Sequence, residues 1–354
     1  MTTLTIRPSV GKTKSRTSAV VEHPASTAEC FADIAALVKL NNSTGQVDED
    51  TLVCDLQEFF EAPNVDKARD LRLWKDTHGK LTGFGQLMII EQDNELEGYL
   101  YFDVHPTQGS YALETEILQW SEKRLREVAK ERSLSAKLHL RSQENKMLRR
   151  VLLERQGFTA ERCFLTKACS LEQPLSLPSL PSGFTLRSLS GERELQAWVD
   201  LFNESFIDHW DHHDISLGTA RQWLKNPSYR PDLNVIAVAP DGTFAAFCVG
   251  YRNQEENART GSNEGWIKLL GTRRGFRKLG LGRALLLAQM NQQKAAGVDC
   301  LKLGVDAQNL TSATRLYESL GFQTVSTWLS YAKKIQPYGL NCWETPTLTG
   351  KVKG

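Results

Sequence analysis

Leu152-Leu153-Glu154-Arg155-Gln156-Gly157-Phe158 aligns with Leu316-Tyr317-Glu318-Ser319-Leu320-Gly321-Phe322 at one constant offset, and the match runs on to place Leu165 over Leu329 and Ala168 over Ala332. Self-similarity at such a distance limits the fold to two copies of one order of elements. The chain has 354 residues, enough for two cores of ordinary size. In the first copy, residues 3–8 read as a strand and 9–27 as a polar insertion rich in Ser, Thr and Lys. Periodicity then predicts helices at 28–40 and 50–61 and strands at 71–76, 82–91 and 97–104. A helix at 112–131, a strand at 136–141 and a helix from 145 to the Gly157-Phe158 stop complete it. The second copy opens with a strand at Phe184–Arg187, helices at 191–206 and 216–225, and strands at 233–239 and 243–252 joined at Asp241-Gly242. A strand Gly265–Thr272, a helix Arg283–Ala296, a strand Leu301–Asp306, a helix opened by Asn309–Ser312 and a strand Thr324–Lys333 follow. Three prolines and several serines between Ser170 and Gly183 break all periodicity. The domains expected are therefore 1–170, a linker 171–183, 184–335, and a tail 336–354.

Composition narrows the function classes. The net charge of +1 provides no long-range field for nucleic acid or an anionic membrane. No apolar run reaches spanning length, and the basic N-terminus lacks the apolar core of a signal peptide. Seven scattered cysteines without a Cys-x-x-Cys pair fit reduced thiols in the cytoplasm, not a disulfide frame or a zinc site. Gly11-Lys12-Thr13 suggests a phosphate-binding loop, but the first glycine it needs would fall on Ile6. A kinase or NTPase is thereby disfavoured.

The chemistry concentrates in the turn after the strand Gly265–Thr272. Gly280 and Gly282 let the backbone approach a ligand, and the start of the following helix points free N–H groups and a positive dipole end at it. Arg273, Arg274, Arg277, Lys278 and Arg283 surround the turn. It has neither the Lys-Ser/Thr ending of a Walker loop nor the glycine spacing of a dinucleotide fold. Taken alone it is either a pyrophosphate cradle or a surface turn with solvated arginines.

Arg277-x-x-Gly280-x-Gly282 after one strand, and Asn309, Ala313, Leu316-Tyr317 and Gly321-Phe322 after the next, resemble the GNAT family of acyl-CoA N-acyltransferases. The motifs occupy residues 264–332; the order of elements resembles the family over nearly the whole chain, in the tandem two-domain type to which mycothiol synthase belongs. The resemblance implies an α/β (α+β) fold of two tandem GNAT-like domains, each a mixed, mostly antiparallel sheet flanked by helices. It implies that the amides of Lys278, Leu279, Gly280, Leu281, Gly282 and Arg283, with Arg277, hold the pyrophosphate of acetyl-CoA. The backbone of Leu270, Gly271 and Thr272 would pair with the pantetheine arm as an added strand, with Asn309 and Ala313 beside it. Tyr317 would protonate the leaving thiolate. The family often has a proline where Arg274 stands, so the turn here is less stiff. The first copy departs further. Gly109 faces Arg277, Ala112 faces Gly280, Glu114 faces Gly282 and Leu153 replaces Tyr317, which implies a degenerate N-terminal domain.

The family often takes its general base from the strand that opens at Glu264. Glu264 shares a face with Trp266 by period two, although the usual position lies nearer Trp266. His212 and His213 are alternatives. Between helices, Asp208, His209, Trp210, Asp211, His212, His213 and Asp214 form a loop that overhangs the acceptor site in this fold. Asp208, Trp210, His212 and His213 could bind a cationic amine or belong to a solvated loop. Adjacent histidines cannot share one helix face, so no metal is expected. The expected activity is direct acetyl transfer to a small-molecule amine in a ternary complex, by a monomer or homodimer with no nucleic-acid or membrane partner. A peptide or protein N-acetyltransferase, or a non-catalytic acyl-CoA-binding scaffold, are the alternatives.

Overall fold

A computed structural model describes residues 20–21, 27–43, 66, 68–106, 110–209, 214–225, 229–252, 254, 257–258, 261–309 and 313–336. The strand expected at 3–8, the helix at 50–61 and the tail beyond Gln336 lie outside these residues. Contacts divide the chain into two compact units, one running to Leu140 and taking in Lys333 onward, the other Arg141–Ala332.

In the first unit, strands β2 (Leu71–Lys75), β3 (Leu81–Gln92) and β4 (Glu95–Val104) form an antiparallel meander. Asp93 and Asn94 turn the β3–β4 hairpin with φ of 48° and 62°, left-handed values that Asp and Asn tolerate. Strand β1 (Val20–Val21) pairs with β2, so the stretch 9–27 is not all insertion; its two β-branched valines suit a strand. Helix α1 (Thr27–Ser43) packs Ile34, Leu37 and Val38 on Leu71, Leu73, Leu81 and Phe84. Helix α2 (Ser110–Arg132) leads to β5 (Ser135–Gln143), parallel to β4. Gly98 of β4 is required by α2, because a Cβ there would sit 2.7 Å from Leu125 Cδ2.

In the second unit, strands β7 (Thr185–Ser188), β8 (Asn234–Val238), β9 (Phe244–Tyr251) and β10 (Glu264–Thr272) run antiparallel in succession. Helix α6 (Leu281–Ala295) crosses to β11 (Cys300–Asp306), parallel to β10. Strand β6 (Thr159–Ser170) lies between β11 and β12 (Gln323–Ile335), antiparallel to both. Helices α3 (Met147–Arg155), α4 (Leu195–Phe206), α5 (Leu217–Lys225) and α7 (Ala313–Glu318) complete the unit. Each unit is thus a mixed, mostly antiparallel sheet with helices, as expected.

The position of β6 differs from the sequence boundary at 171–183. The repeat assigns β6 to the first copy, but its whole length is hydrogen-bonded to strands of the second. The compact unit therefore begins near Arg141. Pairing partners of a strand leave no trace in its own periodicity.

Two cores sandwich the second sheet. Leu281, Leu285 and Met290 of α6 pack on Ala246, Cys248, Ile267, Leu303 and Val305. On the other face Trp198, Leu201 and Ala220 pack on Ile236 and Phe247. Ala246 and Cys248 facing one core and Phe247 the other is the period-two alternation of a strand. Full burial of each such large side chain contributes about 1.5–3 kcal/mol. Among the described residues no helix is long and apolar enough to cross a membrane.

Gly271 on β10 is a packing requirement. A Cβ there would lie 2.4 Å from Phe247 Cε1 and 2.9 Å from Ser205 Cβ. Phe247 is held by ring contacts to Trp198 and Phe202, so it has little room to yield. Gly271→Ala should lower stability by about 1–3 kcal/mol in urea unfolding; an unmoved transition would contradict this packing.

Candidate active site

The site begins where two strands part. β10 pairs with β11 from Glu264↔Cys300 to Ile267↔Leu303 and no further, although β10 runs on to Thr272 and β11 to Asp306. A bulge between Ile267 and Leu269 shifts the β9–β10 register at the same point. From Leu269 to Thr272 the ladder continues on the β9 side. β11 continues on the β6 side, through Gly304↔Thr166 to Asp306↔Phe164. The result is a wedge with a strand edge along one wall, suited to an extended ligand that adds as a strand. Leu270, Gly271 and Thr272 lie on that wall.

Past Thr272 the chain makes a turn, Arg274–Phe276, and reaches α6. Lys278 has φ 64° and Gly280 φ 84°. Two left-handed residues this close turn successive N–H groups to one side, the geometry of an anion-binding nest. Gly280 is the N-cap of α6 and makes no side-chain cap bond. The first amides of the helix, at Leu281, Gly282 and Arg283, have no acceptor within the helix itself. A left-handed lysine costs about 1 kcal/mol or more. Nothing approaches within 4 Å of a Cβ position at Gly280, and at Gly282 the nearest atom is Leu316 Cδ2 at 3.5 Å. The cradle is open backbone, as a phosphate requires.

The arginines do something other than the sequence suggests. Arg277 Nε donates to the Thr272 carbonyl at 3.2 Å, Nη2 to the Ser205 carbonyl at 3.0 Å and Nη1 to Asp208 Oδ2 at 2.5 Å. Arg274 also binds Asp208, and Arg273 Nε lies 3.2 Å from Glu204. Arg283 donates to Ser319 Oγ at 2.7 Å. Arg277 is thus a tie between the end of β10 and the end of α4, and Asp208 is an ion-pair partner of two arginines rather than a carboxylate aimed at an amine. Arg274, with Arg277 second, holds the Asp208 carboxyl below the usual carboxylate range.

Tyr317 lies on α7, 7% exposed, in the core that also holds Cys248, Leu281 and Val305. Its ring meets Phe322 edge-on at 6.1 Å. Burial, with a smaller contribution from Cys248, raises its phenol above the ordinary tyrosine range. Cys248 is paired across the ladder with Leu270, so Tyr317 and the wedge wall share one neighbour. Asn309 follows β11, its amide donating to the Asp306 carbonyl at 3.1 Å, and half-buried Ala313 opens α7 against the same core. The structure therefore gathers Leu270–Thr272, Lys278–Arg283, Asn309, Ala313 and Tyr317 around one wedge.

Glu264 is not among them. It stands six residues before Leu270, about 20 Å away at roughly 3.3 Å per residue. It is in the paired part of β10, bound to Lys302 Nζ at 2.9 Å. Lys302 lies 5.9 Å from the Trp266 ring centre. Trp210, His212 and His213 lie outside the described residues, and among the described residues no group of His, Cys, Asp and Glu could hold a metal.

The first unit carries the same parting. β4 pairs with β5 only as far as Tyr99↔His139. At its base Glu97 bonds His139, and Tyr99 stacks on the His139 ring at 5.0 Å, the counterpart of Glu264, Lys302 and Trp266. The β4 wall there is capped: Asn41 Nδ2 donates to the Val104 carbonyl at 3.0 Å, and the Val104 amide to Asp103 Oδ1 at 3.0 Å. No bulge shifts the β3–β4 register. Glu114 and Leu153 are both buried.

Residues 195–322 match the model of the Acetyltransferase (GNAT) family. A mycothiol acetyltransferase of Thermobispora bispora is 32% identical over 169 residues, 47% of this chain and 55% of that protein. The chain spans about half the length of the curated relatives it matches. Among solved structures, a GCN5-related N-acetyltransferase from Sphaerobacter thermophilus superposes with TM-score 0.68 at 22% identity, over 88% of this chain and 95% of that one. A tandem GNAT protein from the clavulanic acid biosynthesis pathway superposes with TM-score 0.70 at 14% identity, over 91% and 99%. These likenesses are of fold.

The Asp208 pairing has a pH signature. A carboxyl lowered on folding stabilises above its unfolded value, near 3.8, and that contribution is lost as pH falls through the folded value. Asp208→Asn should leave urea stability equally shifted at every pH from 5 to 8, and the difference from wild type should shrink only below about pH 4. A difference that already shrinks between pH 5 and 7 would contradict the pairing.

Proposed function

We propose, from a C-terminal unit that carries a GNAT domain, that this chain transfers an acetyl group from acetyl-CoA to a primary amine of a small molecule. The observation that carries the reading is the wedge between β10 and β11, with an open left-handed cradle at one end and a buried phenol beside it. The residues fit the donor. A pantetheine arm pairs along Leu270–Thr272, and the pyrophosphate meets the amides of Lys278–Arg283 at the dipole end of α6.

The amine attacks the thioester carbonyl directly. A C–N bond forms, the C–S bond breaks, and the sulfur takes its proton from the Tyr317 hydroxyl, while the amine proton leaves to solvent or to a base. A backbone amide at the bulge beside Lys268 is placed to face the developing oxyanion. A phenol whose ionisation is pushed up stays protonated at neutrality and is available as a donor. A covalent acyl-enzyme is disfavoured: Cys248, the thiol nearest the wedge wall, is fully buried and its ionisation is pushed up by burial. The base remains open, since Glu264 is paired and distant. The small-molecule acceptor is supported by relatives named mycothiol acetyltransferase. A non-catalytic acyl-CoA-binding role would leave the buried Tyr317 without a task.

Thiol release from acetyl-CoA in the presence of a panel of amines, amino sugars included, tests the reading. Tyr317→Phe should lower kcat about 10²- to 10⁴-fold with little change in donor binding. A Tyr317→Phe variant of full rate would refute the proton-donor role. Tyr317 itself should cause no loss of rate between pH 7 and 9, because its ionisation lies above the ordinary tyrosine range.

A further inference from the structure

Lys167 stands on β6 with 2% of its side chain exposed. Taking an ammonium out of water is costly unless it is paired and hydrogen-bonded. Its Nζ donates to Glu318 Oε1 at 3.0 Å and to Thr324 Oγ1 at 3.1 Å. Glu318 ends α7 and is the next residue after Tyr317. Thr324 is its register partner on β12.

α7 has six residues, far fewer than a helix needs to hold its shape in water. Its placement must come from what it is tied to. β6 supplies three ties at alternate positions, which by period two share one face. Leu165 packs against the core that contains Tyr317. Lys167 binds Glu318. Cys169 Sγ donates to the Leu320 carbonyl at 3.5 Å, and a Cβ at Gly321 would lie 3.4 Å from that sulfur. The middle tie is the strongest, being a charge-assisted bond away from solvent at its lysine end.

We propose that Lys167 is a positioning residue for Tyr317: a strand that the sequence repeat assigns to the first copy sets the seat of the proton donor in the second. The proposal rests on the reading of Tyr317 given above. It assigns the degenerate copy a task besides packing. Its β6 strand cannot be removed without removing the floor under α7.

Lys167→Met keeps the volume and leaves no buried charge behind, because Glu318 is half exposed. Glu318→Gln weakens the same bond from the exposed end and is the variant to use if Lys167→Met fails to fold. Two readouts are taken on the full chain. In hydrogen exchange, the amides of Leu320, Gly321 and Phe322, which bond back to Tyr317 and Glu318, should exchange about tenfold faster in either variant. In thiol-release kinetics, kcat should fall about 10- to 100-fold, with the KM for acetyl-CoA within about twofold of wild type. Both variants should lose that effect on kcat in a Tyr317→Phe background. Unchanged exchange at the three amides would overturn the proposal, as would a full loss of kcat that persists without the Tyr317 hydroxyl. Faster exchange in a protein that transfers no acetyl group, wild type included, would uphold the seat and overturn the acetyltransferase reading instead.

Discussion

Everything at the candidate site follows from the place where β10 leaves β11. Parallel strands that stay paired bury their backbone groups in each other. Here pairing stops at Ile267↔Leu303, the bulge turns the β10 backbone, and each strand keeps its ladder only on the far side. The sheet does not come apart because β9 and β6 hold the two walls. The wedge supplies a strand edge, and the chain beyond it supplies an anion cradle at a helix start. The Arg277 bonds to Thr272, Ser205 and Asp208 fix the turn that joins them. Remove the parting and the cradle would face a closed sheet.

The first unit shows what the same topology becomes without the chemistry. β4 and β5 part at the equivalent rung, and even the residues at the base are matched as an acid, a cation and an aromatic ring. The free wall is then satisfied from within by Asn41 and Asp103. Backbone groups shielded from water must find partners. A wall that finds them in its own side chains has no need of a ligand's. The second wall lacks such printed caps beyond the single Arg277 bond to Thr272.

Much of this was legible in the sequence. Long elements with clear periodicity, such as α2, β4 and α6, fall within a few residues of expectation. The cradle was legible because Gly280 and Gly282 stand at a strand-to-helix turn, and Tyr317 because its helix repeats in the first copy. Three things were not. The insertion of β6 between β11 and β12 is a long-range pairing choice. The arginines look like phosphate ligands in a string of letters, yet Arg274 and Arg277 bind Asp208, some seventy positions away. Glu264 carries the right chemistry at the wrong distance, since only the rung at which pairing stops reveals where the chemistry can occur.

Calorimetric titration with acetyl-CoA of the wild type and Gly282→Glu tests the central claim most directly. The new side chain fits, since its Cβ meets only Leu316 at 3.5 Å. A carboxylate in the first turn of α6 does not harm the helix. It does place a negative charge in the cradle, as Glu114 stands in the first copy. The account predicts micromolar binding by the wild type, at least about tenfold weaker in the variant, with unchanged thermal stability. Equal binding by both proteins would place the donor elsewhere, and no binding by the wild type would contradict the reading of the wedge as an acyl-CoA site.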